Sequence, residues 1–323
     1  MPDIHSCIHA LGIVPVVTLD DASHAVPLAR ALLAGGLSVA EITLRTDAAT
    51  ESIRRIRADA PDMLVGAGTV TSIAKAREAL GAGAKFIVTP GFTPDVVSWC
   101  LENAVPVFPG CVTASEIEGA MNLGLAVVKF FPAEQSGGLA AIRALSAPYH
   151  GMRFMPTGGI DARNMAGYLG FPGVFACGGS FMAPVDAVRD GRWNDITALS
   201  REAVSAAQGF VLEHVELYTE NAPEAAAVGE WFSSVTGHLV HPECETPLVA
   251  PGLRITGASP CGLVAGLHYG VVNVERSCRR LERMGYTLIP DTVRRDRNGQ
   301  RVAAALADAG HGFAIHLSNR RNM

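Results

Sequence analysis

The sequence predicts an α/β protein, in which a (β/α)8 TIM barrel is followed by a smaller α+β domain of two βαβββ units. Eight short apolar runs, bounded by Gly or Pro, alternate with amphipathic stretches through the first two thirds of the chain. The runs are apolar nearly throughout, which is typical of parallel strands covered on both faces. The pattern changes near residue 208. A doubly wound open sheet is the alternative, and the absence of a dinucleotide-binding glycine motif after the first run disfavours it.

The eight predicted strands recur about every 20 to 25 residues, a repeat that suits a compact barrel. In order, they span residues 14–19, 39–44, 63–68, 85–90, 105–110, 126–131, 153–159 and 174–180. Stretches such as 23–36 and 72–84 carry apolar residues at helical spacing and close with glycines that suit helix C-caps. We therefore expect the barrel to occupy residues 1–208.

Residues 209–323 show a different order of elements. A strand at 210–219 and a helix at 222–237 are followed by short strands to about residue 260. A second strand at 266–274, a helix at 275–286 and further short strands to residue 319 repeat that order. This repetition predicts a separate domain.

Composition and charge narrow the class of protein. The chain has 323 residues, 49% hydrophobic and 18% charged, which excludes a disordered or fibrous chain. Its net charge of −5 and lack of a large basic patch argue against a nucleic-acid or membrane partner. The seven cysteines are odd in number and form no CxxC pair, so we expect free thiols. No signal peptide or membrane helix is evident, which predicts a cytoplasmic protein.

Lysine is scarce, and one of the three lysines lies inside a predicted strand. Lys75 falls on a polar helix face and Lys85 opens a strand, whereas Lys129 lies within the apolar run AVVKFF. Desolvation disfavours the charged form of a buried lysine, and a neutral amine is the nucleophile that forms a Schiff base with a ketone. The alternative is a lysine at the end of a strand whose ammonium reaches solvent.

Further polar residues and glycines lie in or just after predicted strands, where barrel enzymes have their active-site residues. Glu41 lies inside the second predicted strand, where a buried carboxyl suits general acid–base work or simply pairs with Arg45. Arg45 could instead clamp a carboxylate. Gly158–Gly159 and Gly178–Gly179–Ser180 follow strands seven and eight, the usual phosphate-binding position of such barrels.

Seven motifs occur in order on the expected strands. They are EITLRT (41–46), GAGTV (66–70), TPG (89–91), PG (109–110), VVKFFPAE (127–134), PTGG (156–159) and GGS (178–180). Over roughly residues 8–207, the chain resembles the 2-keto-3-deoxy-6-phosphogluconate (KDPG) and 4-hydroxy-2-oxoglutarate (KHG) aldolases, which are class I enzymes.

The resemblance implies a role for each matching residue. Lys129 would form the Schiff base and Glu41 would act as general acid–base. The substrate-binding residues would be Arg45, Thr69, Pro90, Phe131 and Thr157, and the phosphate-binding residues Gly158, Gly159, Gly179 and Ser180. Cys111–Val112 departs from the small polar residues expected after the glycine, which puts the wall of the pocket in doubt.

The resemblance also implies a reaction and an assembly. The expected reaction is the Entner–Doudoroff cleavage of KDPG, a small keto-acid phosphate, to pyruvate and D-glyceraldehyde 3-phosphate, with no cofactor, in a homotrimer. Cleavage of KHG to pyruvate and glyoxylate is the alternative. A non-catalytic metabolite-binding protein that uses its C-terminal domain is a third hypothesis.

The two C-terminal βαβββ units resemble the glyoxalase/vicinal-oxygen-chelate fold, mainly through pattern. That resemblance implies metal ligands on the first and last strands of each unit. This chain has His214, His268 and His316 at three of these four positions, and the last strand of the first unit offers no clear ligand. A divalent metal there is therefore possible. The alternatives are histidines satisfied by hydrogen bonds, and a domain used for binding or oligomerisation.

Overall fold

The computed structural model describes residues 3–236, 248–250, 252–257, 265–297, 299–307 and 313–319. The chain divides into two compact units, Met1–Ala207 and Gln208–Met323. Gln208 falls with the second unit because its backbone carbonyl accepts a hydrogen bond from Val272 N and its side-chain Oε1 accepts one from Ser277 Oγ. The division lies one residue before the boundary that the sequence pattern predicts.

The first unit contains the eight predicted strands, all parallel. They are β1 (Ile13–Val17), β2 (Val39–Thr43), β3 (Leu64–Gly68), β4 (Ile87–Val88), β5 (Val107–Phe108), β6 (Val127–Phe130), β7 (Arg153–Pro156) and β8 (Cys177–Gly179). Six pair in the order β5-β4-β3-β2-β1-β8, and β6 pairs with β7. The bridges Gly110↔Lys129 and Thr157↔Gly178 join the two sheets, so the strands close into a ring. The predicted TIM-barrel class is confirmed.

Ten helices accompany these strands in the described part of the chain. They are α1 (Ile4–Leu11), α2 (Ala25–Ala34), α3 (Ala49–Asp59), α4 (Ile73–Ala82), α5 (Pro94–Glu102), α6 (Ala114–Asn122), α7 (Gly138–Ser146), α8 (Met165–Leu169), α9 (Val185–Arg189) and α10 (Trp193–Gln208). Local sequence sets their ends. Ser72 caps the amino end of α4, where its hydroxyl accepts a hydrogen bond from Lys75 N, and Gly83 caps the carboxyl end in the left-handed conformation.

Helix α1 packs near the amino ends of the barrel strands. The sequence pattern did not predict this helix. Its Ile8 and Leu11 belong to a buried apolar cluster that includes Val39 and Phe86, which lie at the amino ends of their strands. The opposite rim, at the carboxyl ends, is left for chemistry, as in other barrels of this class.

In the residues that the structure describes, the second unit is a mixed seven-stranded sheet with two α-helices. Its elements are β9 (Val211–Tyr218), α11 (Ala222–Thr236), β10 (Leu248–Ala250), β11 (Leu253–Thr256), β12 (Ala265–Val271), α12 (Val274–Arg283), β13 (Arg294–Arg295), β14 (Arg301–Ala307) and β15 (Phe313–Asn319). The strand order is β10-β11-β9-β12-β15-β14-β13. The second repeat has the predicted βαβββ order. In the first, the predicted strand region near residue 260 extends into residues 258–264, outside the described residues.

The two faces of this sheet differ in polarity because side chains alternate along a strand. On one face, Val274 and Cys278 of α12 pack with Leu306 and Leu317. On β9, the alternate positions bear His214, Glu216 and Tyr218, so the other face is polar. In the described part of the chain, no helix is long and apolar enough to cross a membrane.

Candidate active site

The two residues expected to do the chemistry meet inside the barrel. Lys129 is the third residue of β6 and Glu41 the third residue of β2, and Lys129 Nζ lies 3.4 Å from Glu41 Oε1. Their side chains are only 6% and 2% exposed. Backbone hydrogen bonds fix Lys129, because its N–H donates to Pro109 O and its carbonyl accepts from Cys111 N. The structure therefore holds an amine beside a carboxyl group in a nearly water-free setting.

The surroundings of the pair constrain both side chains. The Phe131 ring centroid lies 5.0 Å from Lys129 Nζ, close enough to stabilise a cation at that nitrogen. On the other side, Gly68 borders the carboxyl group, since a Cβ placed there would lie 2.1 Å from Glu41 Oε1. Sequence reasoning did not single out Gly68, because its requirement arises only from pairing β2 with β3.

Arg45 and Thr69 lie together just beyond the ends of β2 and β3. Arg45 Nε donates to Thr69 Oγ1 at 3.1 Å. Thr69 has φ +58°, a left-handed conformation that is unfavourable for a β-branched residue. Strained backbone of this kind is concentrated at functional sites. The guanidinium thus has a defined anchor at the barrel rim.

Pro90, after β4, is next to Thr69 along the ring, whereas Thr157, after β7, is next to the strand of Lys129. The Pro90 carbonyl lies so close to Gly110 that a Cβ there would be 2.1 Å from the oxygen. Thr157 is buried, and its N–H donates to Phe130 O. Thr157 follows β7, which pairs directly with β6, the strand of Lys129. Pro90 follows β4, which pairs with β5, and the bridge Gly110↔Lys129 joins β5 to β6.

The two glycine turns meet at the rim and leave backbone N–H groups unpaired among the described residues. Gly158 and Gly159 have φ values of +96° and +77°, and their carbonyls accept from Glu134 N and Asn164 Nδ2. Among the residues that the structure describes, neither glycine N–H donates a hydrogen bond. The bridge Thr157↔Gly178 sets this turn beside the end of β8, where Gly179 is followed by exposed Ser180. Consecutive free N–H groups form a concavity suited to phosphate.

The departure at Cys111–Val112 concerns the loop after β5. Cys111 is buried, and its Sγ faces the carbonyl of Glu116 at 3.6 Å. Burial raises the pKa of the Cys111 thiol to about 12, so this thiol is not a nucleophile at neutral pH.

The three histidines of the second unit do come together. His268 stacks on His214 with ring centroids 4.1 Å apart and on His316 at 4.2 Å. Glu216, which sequence reasoning missed, places its Oε2 at 2.9 Å from His268 Nε2. Tyr218 Oη lies 3.3 Å from His316 Nε2. We call His214, His268 and His316 the histidine row.

This arrangement does not support the metal site suggested by the resemblance. Zinc binds imidazole nitrogens at about 2.0–2.1 Å, so the rings around one ion must converge on it. The rings of the row are nearly parallel, and the outer two are two ring spacings apart. Within the described residues, no group of three or more His, Cys, Asp or Glu side chains is placed to hold a metal ion. The described geometry of the histidine row therefore gives no support to a divalent metal there.

The histidine row has perturbed electrostatics. Burial, followed by the neighbouring His268, lowers the pKa of His214 to about 4, and the same causes lower that of His316 to about 4. The hydrogen bond with His268 lowers the pKa of Glu216 to about 2, although burial opposes it. At neutral pH, the two outer imidazoles are thus neutral and Glu216 is ionised.

Comparisons with known proteins match the first unit. The family model described as "Aldolase: KDPG and KHG aldolase" matches residues 4–199. A 2-dehydro-3-deoxy-phosphogluconate aldolase of Treponema pallidum is 48% identical over 204 residues, which are 63% of this chain and 97% of that protein. A KHG/KDPG aldolase of Escherichia coli K12 is 43% identical over 196 residues, 61% of this chain and 92% of that protein.

A solved structure gives the same picture. The KDPG aldolase of Legionella pneumophila, with pyruvate captured as a covalent carbinolamine intermediate, is 34% identical with a TM-score of 0.61. The match covers 63% of this chain and 99% of that one.

Proposed function

This chain belongs to the KDPG and KHG aldolase family, and on that premise we propose that it cleaves KDPG to pyruvate and D-glyceraldehyde 3-phosphate, with Lys129 as the Schiff-base lysine and Glu41 as the acid–base group. The observation that carries the proposal is the buried contact of 3.4 Å between Lys129 Nζ and Glu41 Oε1. It supplies the nucleophile and the proton acceptor at one point. The activity is that of a lyase.

The geometry supports the following sequence of steps. Glu41 accepts a proton from Lys129, and the neutral amine attacks the C2 ketone of the substrate. Glu41 returns that proton to the carbinolamine hydroxyl, which leaves as water and gives an iminium ion. As a carboxylate again, Glu41 takes the C4 hydroxyl proton while the C3–C4 bond breaks and its electron pair moves into the iminium. The aldehyde leaves, and protonation at C3 and hydrolysis release pyruvate and the free lysine.

The family resemblance, together with the position of these residues on the rim, supports their substrate-binding roles. Arg45, held by Thr69, would pair with the substrate carboxylate, and Pro90, Phe131 and Thr157 would surround the pyruvoyl part. Gly158, Gly159, Gly179 and Ser180 would hold the phosphate. No metal or organic cofactor is required for this chemistry, because the iminium itself accepts the electron pair.

Cleavage of KHG to pyruvate and glyoxylate is the second candidate, since the Lys129 and Glu41 steps are identical. The free N–H groups of Gly158 and Gly159 favour the phosphorylated substrate, because KHG has no phosphate to place there. Comparing kcat/KM for the two substrates would rank them.

The test of the proposal is chemical trapping. With pyruvate and borohydride, the iminium should be reduced and one pyruvate-derived adduct per chain should map to Lys129. Lys129→Arg should give no adduct and no cleavage, because a guanidinium stays protonated. The matched control, Lys75→Arg, should behave as the unmodified chain. An adduct on Lys75 or Lys85, or none at all, would refute the Schiff-base role.

We also propose that the assembly is a homotrimer in the cytoplasm, and that the second unit, Gln208–Met323, serves association or metabolite binding. The five described cysteines form no disulfide bond and are buried, which suits a reducing compartment. Light scattering that gives a mass other than three times 33.8 kDa would refute the trimer.

A further inference from the structure

Two residues that have no role in the proposed function, Glu134 and Tyr168, support the Gly158–Gly159 turn. Glu134 follows the strand of the Schiff-base lysine, in the loop after β6. Its backbone N–H donates to Gly158 O at 3.2 Å, and the preceding Ala133 N–H donates to Thr157 O at 2.8 Å. The loop after β6 and the turn after β7 are therefore joined through backbone groups.

The side chain of Glu134 completes this joint. A Cβ placed on Gly159 would lie 2.5 Å from Glu134 Cγ and 2.7 Å from its Cβ, so the stem of the glutamate packs directly on the glycine backbone. The lack of a side chain at Gly159 allows the two to pack this closely, so loss or movement of the Glu134 stem would remove the packing on this side of the turn.

Tyr168 of α8 fixes the carboxyl end of that stem. Its hydroxyl donates to Glu134 Oε1. Tyr168 is buried at 3% exposure, whereas Glu134 is exposed. An exposed glutamate ordinarily samples several rotamers, and a hydrogen bond from a buried, immobile donor selects one of them. Burial and this hydrogen bond raise the pKa of Tyr168, so its hydroxyl keeps the proton that it donates.

We propose that Tyr168 and Glu134 are positioning residues that hold the Gly158–Gly159 turn in the shape that binds the substrate phosphate. The inference rests on the proposed function, since it assigns the phosphate to this turn. The two residues act through the glycine backbone and touch neither Lys129 nor the reacting carbons, so they should affect phosphate recognition and leave the C–C bond chemistry intact.

The experiment compares Tyr168→Phe with Tyr149→Phe. Tyr149 also donates its hydroxyl to a glutamate, Glu118 at 2.9 Å, elsewhere in the barrel. The two variants therefore lose the same kind of hydrogen bond. For Tyr168→Phe, we expect KM for KDPG and the inhibition constant of inorganic phosphate to rise about tenfold, the size expected for one hydrogen bond to a carboxylate. Its kcat for KDPG, its kinetics with KHG and its borohydride trapping of pyruvate should stay unchanged, and Tyr149→Phe should match the unmodified chain.

Variants of Glu134 keep the proposal falsifiable if the buried tyrosine tolerates no change. Glu134→Ala removes the stem and should reproduce the Tyr168→Phe effect, whereas Glu134→Gln keeps the stem and an acceptor and should retain the low KM. Equal losses on KDPG and KHG, or an unchanged phosphate inhibition constant, would overturn the positioning role. Failure of the unmodified chain to trap pyruvate or cleave either substrate would instead refute the proposed function, so the two failures are distinguishable.

Discussion

Glu41 has room for its carboxyl group only because residue 68 has no side chain. A Cβ at Gly68 would lie 2.1 Å from Glu41 Oε1 and 2.7 Å from its Cδ and Cγ. Gly68→Ala should therefore displace the carboxyl group from Lys129 and lower kcat strongly while the chain still folds. The control is Gly81→Ala in α4, where an added Cβ meets nothing within 4 Å. Unchanged aldolase kinetics in Gly68→Ala would show that Glu41 does not need its present position.

The role of Glu41 as a proton acceptor leads to a second prediction. Glu41→Gln keeps the shape of the side chain and removes the base, so kcat should fall by about 10²–10⁴-fold. Pyruvate trapping by borohydride should slow, because Glu41 also moves the proton during iminium formation, but an adduct should still form because trapping needs no C–C cleavage. Glu102→Gln, at an exposed position, is the control. A kcat within twofold of the unmodified chain would assign the base to another group.

At the scale of single residues, the sequence predicts the functional residues whose side chains differ in polarity from their neighbours in the sequence. Lys129 and Glu41 are charged residues within apolar runs, and this contrast can be read from the amino-acid sequence alone. Gly68, Glu134 and Tyr168 have no such contrast. Their importance depends on which strands and loops become neighbours, and only the closed ring of strands defines that. The assigned roles of the site residues stay predictions.

Helix α6 lies immediately after the loop that is hydrogen-bonded to Lys129, and its start is set by a capping box. Thr113 Oγ1 accepts from Glu116 N at 3.4 Å, and Glu116 Oε2 accepts from Thr113 N and Val112 N at 2.9 Å each. Thr113→Ala should reduce the free energy of unfolding of the barrel by about 1 kcal/mol, the usual loss for such a cap. Urea unfolding measures it, with exposed Ser115→Ala as control. Loss of less than about 0.3 kcal/mol would contradict the capping role.

The histidine row predicts that the second unit loses stability in mild acid. The pKa of His214 and His316 is about 4 in the folded chain against an ordinary 6.5, so the unfolded chain binds more protons between these values. Stability should therefore fall as pH drops from above 6.5 to about 4. Glu216, with a pKa of about 2 against 4.5, adds a further loss from 4.5 downward.

This pH dependence can be measured by urea unfolding followed through Trp231 of α11, in a chain with Trp99→Phe and Trp193→Phe. His316→Gln should flatten the dependence between pH 7 and 4, because it removes one of the two shifted groups. His150→Gln, at an exposed position of the barrel unit, should leave it unchanged. A midpoint independent of pH would contradict the burial of neutral imidazoles.

Among the elements, the strands of the barrel were easier to predict than their ends. The run at 85–90 forms a strand only over Ile87–Val88, since Thr89 Oγ1 donates to Gly91 O and the chain turns at Pro90. Helix α1 was missed although Ile4, Ile8 and Leu11 have helical spacing, because it precedes the first strand and so lies outside the strand-then-helix repeat on which the prediction was based.

At the scale of the whole molecule, the family match ends at residue 199, so the second unit is an addition to a complete family fold. We predict that residues 1–208 alone fold and cleave KDPG. All residues assigned to chemistry lie between Glu41 and Ser180, the ring of eight strands is complete at Gly179, and helix α10 ends at Gln208.

The test is to express this fragment and measure pyruvate release, with the same fragment carrying Lys129→Arg as the inactive control. A kcat/KM within about threefold of the full chain would assign catalysis to the barrel unit and leave association or metabolite binding to residues 209–323. A soluble, folded fragment that traps no pyruvate would show that residues 1–208 are not sufficient for catalysis, and a fragment that aggregates would show that they do not fold alone. Either result would contradict the proposed independence of the two units.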